Sequence, residues 1–358
     1  MASPGSPRAR LGEVVRSAVL ALASVAVAFG VVEVGARAAG LRPYRPAEWN
    51  IRVEPGGRYQ VAHPTLGYAP RPGRFTIHFG DGHTWRATHL ADGTRITRPL
   101  ETYPSAAALP QIWIFGCSFT HGWGLDDEET FAWRLQQLLP DHEVKNFGVG
   151  GYGTLQSLLQ LREALGRGPA PGVAVLAYGD FHDERNTRLR SWRKANSEYR
   201  RFGTTAQPFV RLGADGRLVQ RFDDATYRDL FLIRHSALLN RLDVAWSLVE
   251  DRFVKSHEVS RVLVEEFDRE ARAHGTVFVL GGIIATEPTR EMLGWAGRRG
   301  IRATDLSVDL SAPGNAMRFD GHPSARANRE FARKLHAFLA GPGGPLAGSA
   351  RPSEAPRS

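Results

Sequence analysis

Between Gln111 and Leu339, short apolar runs alternate with helical periodicities, and this alternation narrows the fold more than any other property of the chain. Gln111-Ile112-Trp113-Ile114-Phe115 reads as a buried strand closed by Gly116. Asp126 or Asp127 is then placed to cap a helix through Phe131, Leu135, Leu138 and Leu139, with Pro140 closing it. Glu143 to Phe147 reads as a second strand, Thr154 to Leu165 as a helix, and Gly172 to Tyr178 as a third strand. Helices follow at about Ser236 to Val249 and Glu258 to His274, then a strand from Thr276 to Leu280 and a last helix from Ala325 to Leu339. Parallel strands need long crossovers, and helices supply them, so this order specifies an α/β fold with a parallel sheet.

Three stretches depart from that rhythm. Residues 183–234 are charged, turn-rich and aromatic, with Trp192, Tyr199, Phe209, Tyr227 and Phe231, and read as an insertion or cap. Residues 41–108 are rich in Pro and Gly, with β-leaning runs such as Arg74 to Phe79 and turn signals at Asp81-Gly82 and Asp92-Gly93. They read as an irregular β-rich preface to the α/β domain at 111–340. The tail, 341–358, is Gly, Pro, Ala and Ser and is expected to be disordered.

The amino terminus carries Arg8, Arg10 and Arg16 in a 1–16 arm that reads as cytoplasmic, followed by an uncharged run from Ser17 to Val32. Glu33 interrupts before the apolar character resumes. Residues 17–39 suit a transmembrane helix or signal anchor, with the main domain translocated to the periplasm or cell surface. Ala36-Arg37-Ala38 also resembles a signal cleavage site, and a buried soluble helix is the third reading. Arg37, Arg42 and Arg45 balance the N-terminal arginines, so orientation is weakly marked.

Net charge is +9 and the pI about 10.1, which at first suggests an acidic partner. Only Lys145, Lys194, Lys255 and Lys334 are lysines. Arginine and alanine richness with scarce lysine is what a GC-biased genome produces, and no nucleic-acid partner is expected. A hydrophobic fraction of 42% with 23% charged residues excludes a wholly disordered or polytopic membrane chain. The single cysteine, Cys117, excludes an intramolecular disulfide and Cys-based zinc motifs.

Three segments carry chemistry. Gly116-Cys117-Ser118 puts a serine just past the carboxyl end of the first parallel strand, the edge at which open α/β sheets bind ligands. Asp320-Gly321-His322 pairs a histidine with a carboxylate two residues away, on the same side of an extended segment, as a base needing an orienting partner requires. Asn146-Phe147-Gly148-Val149-Gly150-Gly151-Tyr152-Gly153-Thr154 is a strand-to-helix loop whose glycines let backbone N–H groups approach an anion. Each segment alone is an ordinary turn. The Gly-Lys-Ser/Thr ending of a phosphate loop and the G-x-G-x-x-G of a dinucleotide site are both missing.

Together, in this order, the three segments resemble the SGNH (GDSL-like) hydrolase superfamily, in a membrane-anchored bacterial form. The resemblance spans about Gln111 to Leu339 with the insertion unmatched. It implies a flavodoxin-like three-layer sandwich and a Ser118–His322–Asp320 triad. Cys117 stands where the family has the Asp of G-D-S, and D-x-H replaces the usual D-x-x-H. The oxyanion hole is implied to comprise Ser118 and Gly151 N–H groups. The third block, G-x-N-D, is the main departure: in Tyr178-Gly179-Asp180-Phe181-His182-Asp183, either His182 replaces the oxyanion asparagine or Gly179 takes its place and the donor is lost, with Asn186 able to swing in. The implied activity is that of a serine esterase forming an acyl-enzyme on ester groups, O-acetyl groups among them, of a small molecule or polysaccharide. An O-acyltransferase to an envelope glycan, and a catalytically weak, membrane-anchored glycan- or protein-binding domain, stay open beside it. No cofactor is called for. A metal at His182, Asp183 and Glu184, a reactive Cys117 and a pocket-lining Trp123 are weaker readings than a surface turn, a buried thiol and core packing.

Overall fold

A computed structural model describes residues 7–46, 50–80, 82–103, 108–196, 206–223 and 226–347. Asp81, Tyr199, the first six residues of the N-terminal arm and the tail from residue 348 lie outside the described residues. The chain opens with a 32-residue helix, α1 (Pro7–Ala38), which absorbs the rest of the arm. Proline at the first helical position leaves no donor wasted. The helix stops at Gly40, whose φ of +83° permits the paired closing bonds Gly40 N–H to Arg37 O and Leu41 N–H to Ala36 O. Leu11–Ala38 is long enough to cross a membrane, and its most apolar stretch has no residue buried by the rest of the protein.

The preface holds five strands, β1 (Ile51–Glu54), β2 (Gln60–His63), β3 (Gly67–Pro70), β4 (Gly73–Phe79) and β5 (Thr84–His89). An antiparallel sheet β1-β4-β5 and a hairpin β2-β3 result, closed over Val53, Phe75, Ile77, Trp85 and Trp123. Main-chain pairing between Arg95 and Asn146 joins this region to the edge of the central sheet.

The α/β unit runs β6 (Gln111–Phe115), α2 (Ser118–His121), α3 (Phe131–Leu138), β7 (Glu143–Asn146), α4 (Thr154–Leu165) and β8 (Val173–Tyr178). The cap follows as α5 (Phe181–Thr187), α6 (Arg190–Ala195), a β9 (Gln207–Leu212) and β10 (Leu218–Asp223) hairpin and α7 (Ala237–Val254). The unit resumes with α8 (Ser256–Ala273), β11 (Val277–Gly282), α9 (Glu287–Arg298), β12 (Arg302–Asp305) and α10 (Ala325–Ala340). The central sheet is parallel throughout, in the order β7-β6-β8-β11-β12. This is the flavodoxin-like doubly wound order, whose switch point lies between β6 and β8.

Period-two alternation sorts the strands between two covered faces. Ile112, Ile114, Val173, Val175 and Ala177 pack under α3 and α10. Trp113, Phe115, Ala174, Leu176 and Tyr178 face α4, α8 and α9. Three details differ from the sequence reading. Thr130, not Asp126 or Asp127, caps α3, accepting from Trp133 N–H, because Asp127 is committed to a buried ion pair with Arg95. The helix α9 and edge strand β12 were not anticipated: α9 is short of apolar residues before Met292, and β12 buries no residue fully. Residues 341–347 form turns rather than a loose tail, Leu346 packing back on the sheet.

Candidate functional site

Gly116 leaves β6 with φ of +151°, and a Cβ there would press on Ala177 O at 2.9 Å. Only glycine makes this exit without strain. Cys117 is the N-cap residue and Ser118 the first residue of α2, so Ser118 sits at the carboxyl edge of β6 beside the switch point. An N–H in a helix's first turn has no intrahelical acceptor and stays available to an oxyanion. Ser118 is buried to the extent of 8% exposure, while Cys117 is wholly buried in the core.

His322 reaches Ser118 from a loop closed by Met317 N–H to His322 O (2.7 Å) and Gly321 N–H to Met317 O (3.0 Å). His322 Nε2 lies 2.9 Å from Ser118 Oγ. Its Nδ1 lies 2.9 Å from Asp320 Oδ2, an ion-pair contact off the line of an aligned hydrogen bond. The pair is not extended, as the sequence reading had it. Gly321 turns left-handed at φ of +78°, and this turn brings Asp320 Oδ1 to the His322 backbone N–H at 3.0 Å. Trp123 Nε1–H donates to Asp320 Oδ2 at 2.7 Å. Burial pushes the Asp320 carboxyl up, but hydrogen bonds and charge from His322, with Trp123 behind them, outweigh it and hold the group below the ordinary range.

The glycine loop wraps the same corner. Asn146 donates to Thr120 O (3.0 Å) and accepts from Gly148 N–H (3.0 Å), tying the loop to α2. A Cβ on Gly148 would collide with the backbone of Thr120 and His121, and one on Gly150 would reach Ser118 Cβ at 3.9 Å. Gly151 turns at φ of +84° beneath Tyr68. Tyr68, from β3 in the preface, donates to Gly150 O at 2.7 Å, and Tyr152 donates back to Tyr68 O. Arg185, stacked between Phe181 and Trp192, donates to Tyr152 O at 3.0 Å.

The third segment is built differently. His182 is wholly buried on α5, its Nδ1 at 3.3 Å from Thr154 Oγ1 and its Nε2 without a protein partner. Burial and the charge of Arg185 push its pKa well down, so the ring is neutral. Asn186 does not swing toward Ser118: it accepts from Leu155 N–H and donates to Ser260 Oγ, both at 2.9 Å. Asp183 is held by Tyr178 O–H (2.6 Å) and His257 Nδ1 (2.8 Å). Among the described residues, no three His, Cys, Asp or Glu side chains are grouped to hold a metal.

Sequence reasoning missed the supports. Arg95 is fully buried and braces the turn after α2. His89 Nε2 meets His121 Nε2, at the end of α2, at 2.9 Å. No local motif marks either. Trp123, five residues after Ser118, sat in a segment already singled out, but its partner Asp320 lies 197 positions away. A cavity of about 930 Å³ under the cap, lined by Phe181, Leu189, Val244 and Leu248, does not include Ser118 or His322 in its walls.

No family model and no curated protein matches the chain. Among solved structures it is similar to a member of the lipolytic protein G-D-S-L family from Veillonella parvula, at 11% identity over 65% of this chain and 99% of that one, with a TM-score of 0.39. It is also similar to a psychrotrophic esterase from Pseudoalteromonas sp., at 13% identity over 63% and 94% with a TM-score of 0.38. A GDSL-like lipase from Bacteroides thetaiotaomicron matches at 11% identity over 66% and 92%, with a TM-score of 0.35. Identities this low assign no residue a role.

Proposed function

We propose that the chain is a serine esterase of the SGNH type, held at a membrane by α1 with its α/β domain outside the cytoplasm. The observation that carries this reading is the continuous run Ser118 Oγ–His322 Nε2–Asp320 at 2.9 Å per step, at the switch-point edge of a doubly wound sheet. With the Nδ1 proton turned to Asp320, Nε2 is free to take the Ser118 proton as Oγ attacks an ester carbonyl. Asp320, kept ionised by the His322 and Trp123 N–H donors and the imidazole beside it, stabilises the imidazolium that forms. The tetrahedral oxyanion is held by the N–H groups of Ser118 and Gly151, and His322 then returns its proton to the leaving alcohol. Water, activated by His322 in turn, releases the acid; a sugar hydroxyl in its place would make the enzyme an O-acyltransferase.

With Asn186 committed elsewhere, His182 is the side-chain candidate for the third oxyanion donor, and a site with two donors would run about 10²–10³-fold slower than one with three. That altered segment is the observation favouring the second reading, a catalytically weak domain that binds glycans or protein. Hydrolysis of a short-chain aryl ester, with fluorophosphonate labelling alongside, separates the two. Ser118→Ala and His322→Ala are each expected to lower kcat by roughly 10⁴-fold or more, with the double variant losing little further. Equal turnover by wild type and Ser118→Ala would sink the triad, and a folded wild type that resists labelling would favour the binding domain.

A further inference from the structure

The cap helix α7 presents an apolar stripe to solvent. Leu242, Trp246, Val249 and Phe253 recur at helical spacing on its outer side, with Trp246 57% and Phe253 80% exposed. Its inner side is Asp243 and Ser247, buried against the cap. Arg241 and Arg252, both exposed, border the stripe, and Phe231 in the preceding loop is 85% exposed. Single exposed apolar residues need no explanation, but a contiguous stripe ending in Trp and Phe and edged by arginine does.

The place of α7 against α1 supplies one. Glu33 accepts from the backbone N–H groups of Ala237 and Leu238 (2.9 Å each) and from Ser236 Oγ (2.7 Å), and pairs with Arg37 at 2.7 Å. The carboxylate of α1 therefore caps the first turn of α7. The uncharged run of α1, Ser17 to Val32, spans about 24 Å at 1.5 Å per residue, and about one further turn of the helix brings it to the roughly 30 Å of a hydrocarbon core. Glu33, the next residue, then stands where hydrocarbon gives way to headgroups, and α7 begins at that level. The stripe is on the helix whose first turn α1 caps, and α1 itself carries an uncovered apolar stretch.

We infer that α7 is a second membrane element, an interfacial helix whose Leu242-Trp246-Val249-Phe253 face lies in the headgroup region of the bilayer that α1 crosses. The inference rests on the reading of α1 as a membrane span. Tryptophan at the boundary and arginine on the flank are the chemistry of such helices, the arginines favouring anionic lipid.

The test uses the full chain in nanodiscs of phosphatidylcholine and phosphatidylglycerol. Val25→Cys in α1, Phe253→Cys in α7 and Asp215→Cys in the exposed β9–β10 turn each carry an environment-sensitive fluorophore. Wild type is the blank, since Cys117 is buried. Quenching is read with doxyl groups placed shallow and deep on phosphatidylcholine. Expected are a blue shift and loss of emission at position 253 with the shallow quencher, loss at 25 with the deep one, and no change at 215. Quenching at 25 without quenching at 253 overturns the interfacial helix and leaves the anchor standing. A blue shift at 253 that lipid quenchers do not touch also overturns it, assigning the face to a protein partner. Quenching at 253 but not at 25 supports the interfacial helix and refutes the anchor, and quenching at neither position refutes both.

Discussion

Replacing Arg95 by methionine tests whether the β-rich preface is part of the site or merely precedes it. The Arg95 guanidinium donates from Nε to Asp127 Oδ1 at 2.7 Å, from Nη1 to the carbonyls of His121 and Gly122 at 2.8 Å each, and from Nη2 to those of Arg86 (2.8 Å) and Leu125 (2.7 Å). Its side chain is wholly buried and that of Asp127 nearly so. Methionine fills the space of the stem and supplies none of these donors. Removing one partner of a buried ion pair costs about 3–5 kcal/mol, because the other charge is left stranded. The four carbonyls add about 1–3 kcal/mol for each that water fails to reach. Against a total stability of about 5–15 kcal/mol, the lower figure of about 3 kcal/mol alone shifts a urea midpoint by about 1 M for a chain with an m-value near 3 kcal/mol/M. Two of the freed carbonyls end the helix that begins with Ser118, so kcat should fall by about 10²-fold, as small misplacements of a nucleophile do. Urea denaturation and aryl-ester kinetics at a temperature where the variant stays folded read both effects. Adding Asp127→Leu removes the stranded charge, so the double variant should lose less than the sum of the single ones. A variant Arg95→Met within about 1 kcal/mol of wild type and unchanged in kcat would refute the reasoning.

Three further perturbations probe the same corner. Trp123→Phe keeps most of the ring but removes the donor to Asp320 Oδ2; the carboxyl should titrate nearer its ordinary value, and kcat/KM should fall roughly tenfold, the equivalent of about 1.4 kcal/mol, so an unchanged kcat/KM would deny Trp123 its positioning role. Burial and then the charge of Arg95 press the His89 pKa down to about 3 and that of His121 well below its usual value; the unfolded chain therefore takes up these protons first, and stability should fall by about 1.4 kcal/mol per pH unit per ring from about pH 6.5 downward. Thermal melts of His89→Gln should show a shallower acid slope than wild type, and an identical slope would mean that His89 is not buried neutral. Gly151→Ala places a Cβ 2.5 Å from the Tyr68 hydroxyl at a φ of +84°; a cost of about 1–2 kcal/mol from the backbone alone and a marked drop in kcat are expected, and wild-type turnover would show that kcat does not depend on the placement of this loop.

Whatever contiguous residues encode was legible. The two faces of the sheet follow from alternation within Ile112 to Phe115 and Val173 to Tyr178, and the doubly wound order is the usual outcome of right-handed crossovers on both faces. The approach of Ser118 to His322 could be anticipated because each sits in a short loop of distinctive composition at a strand end or helix start. The supports were not, because each joins residues remote in sequence: Trp123 to Asp320 across 197 positions, Tyr68 to Gly150 across 82, Arg95 to Asp127 across 32. Hydrophobic periodicity reports which side of an element is buried, and says nothing about which buried polar atoms will meet. The arginine excess was opaque for a related reason. Arg162, Arg190, Arg261 and Arg299 are consumed in ion pairs with Glu or Asp from other elements.

The shortened D-x-H spacing is where local and remote information combine. In an extended chain, residues two apart share a side, yet such geometry gives the carboxylate no other anchor. Here Gly321 supplies a left-handed turn that a side-chain-bearing residue would adopt only with strain, and the turn folds Asp320 back so that one oxygen takes the His322 backbone N–H. The other oxygen is shared between the imidazole and Trp123. The residue removed from the spacing is thus replaced by two hydrogen bonds that fix the carboxylate independently of the imidazole. Asp320 is thereby held in place independently of any ligand, as the proposed role of orienting His322 requires. The departure from the longer spacing changes how the proposed triad is held, and the supporting tryptophan comes from the turn that follows Ser118.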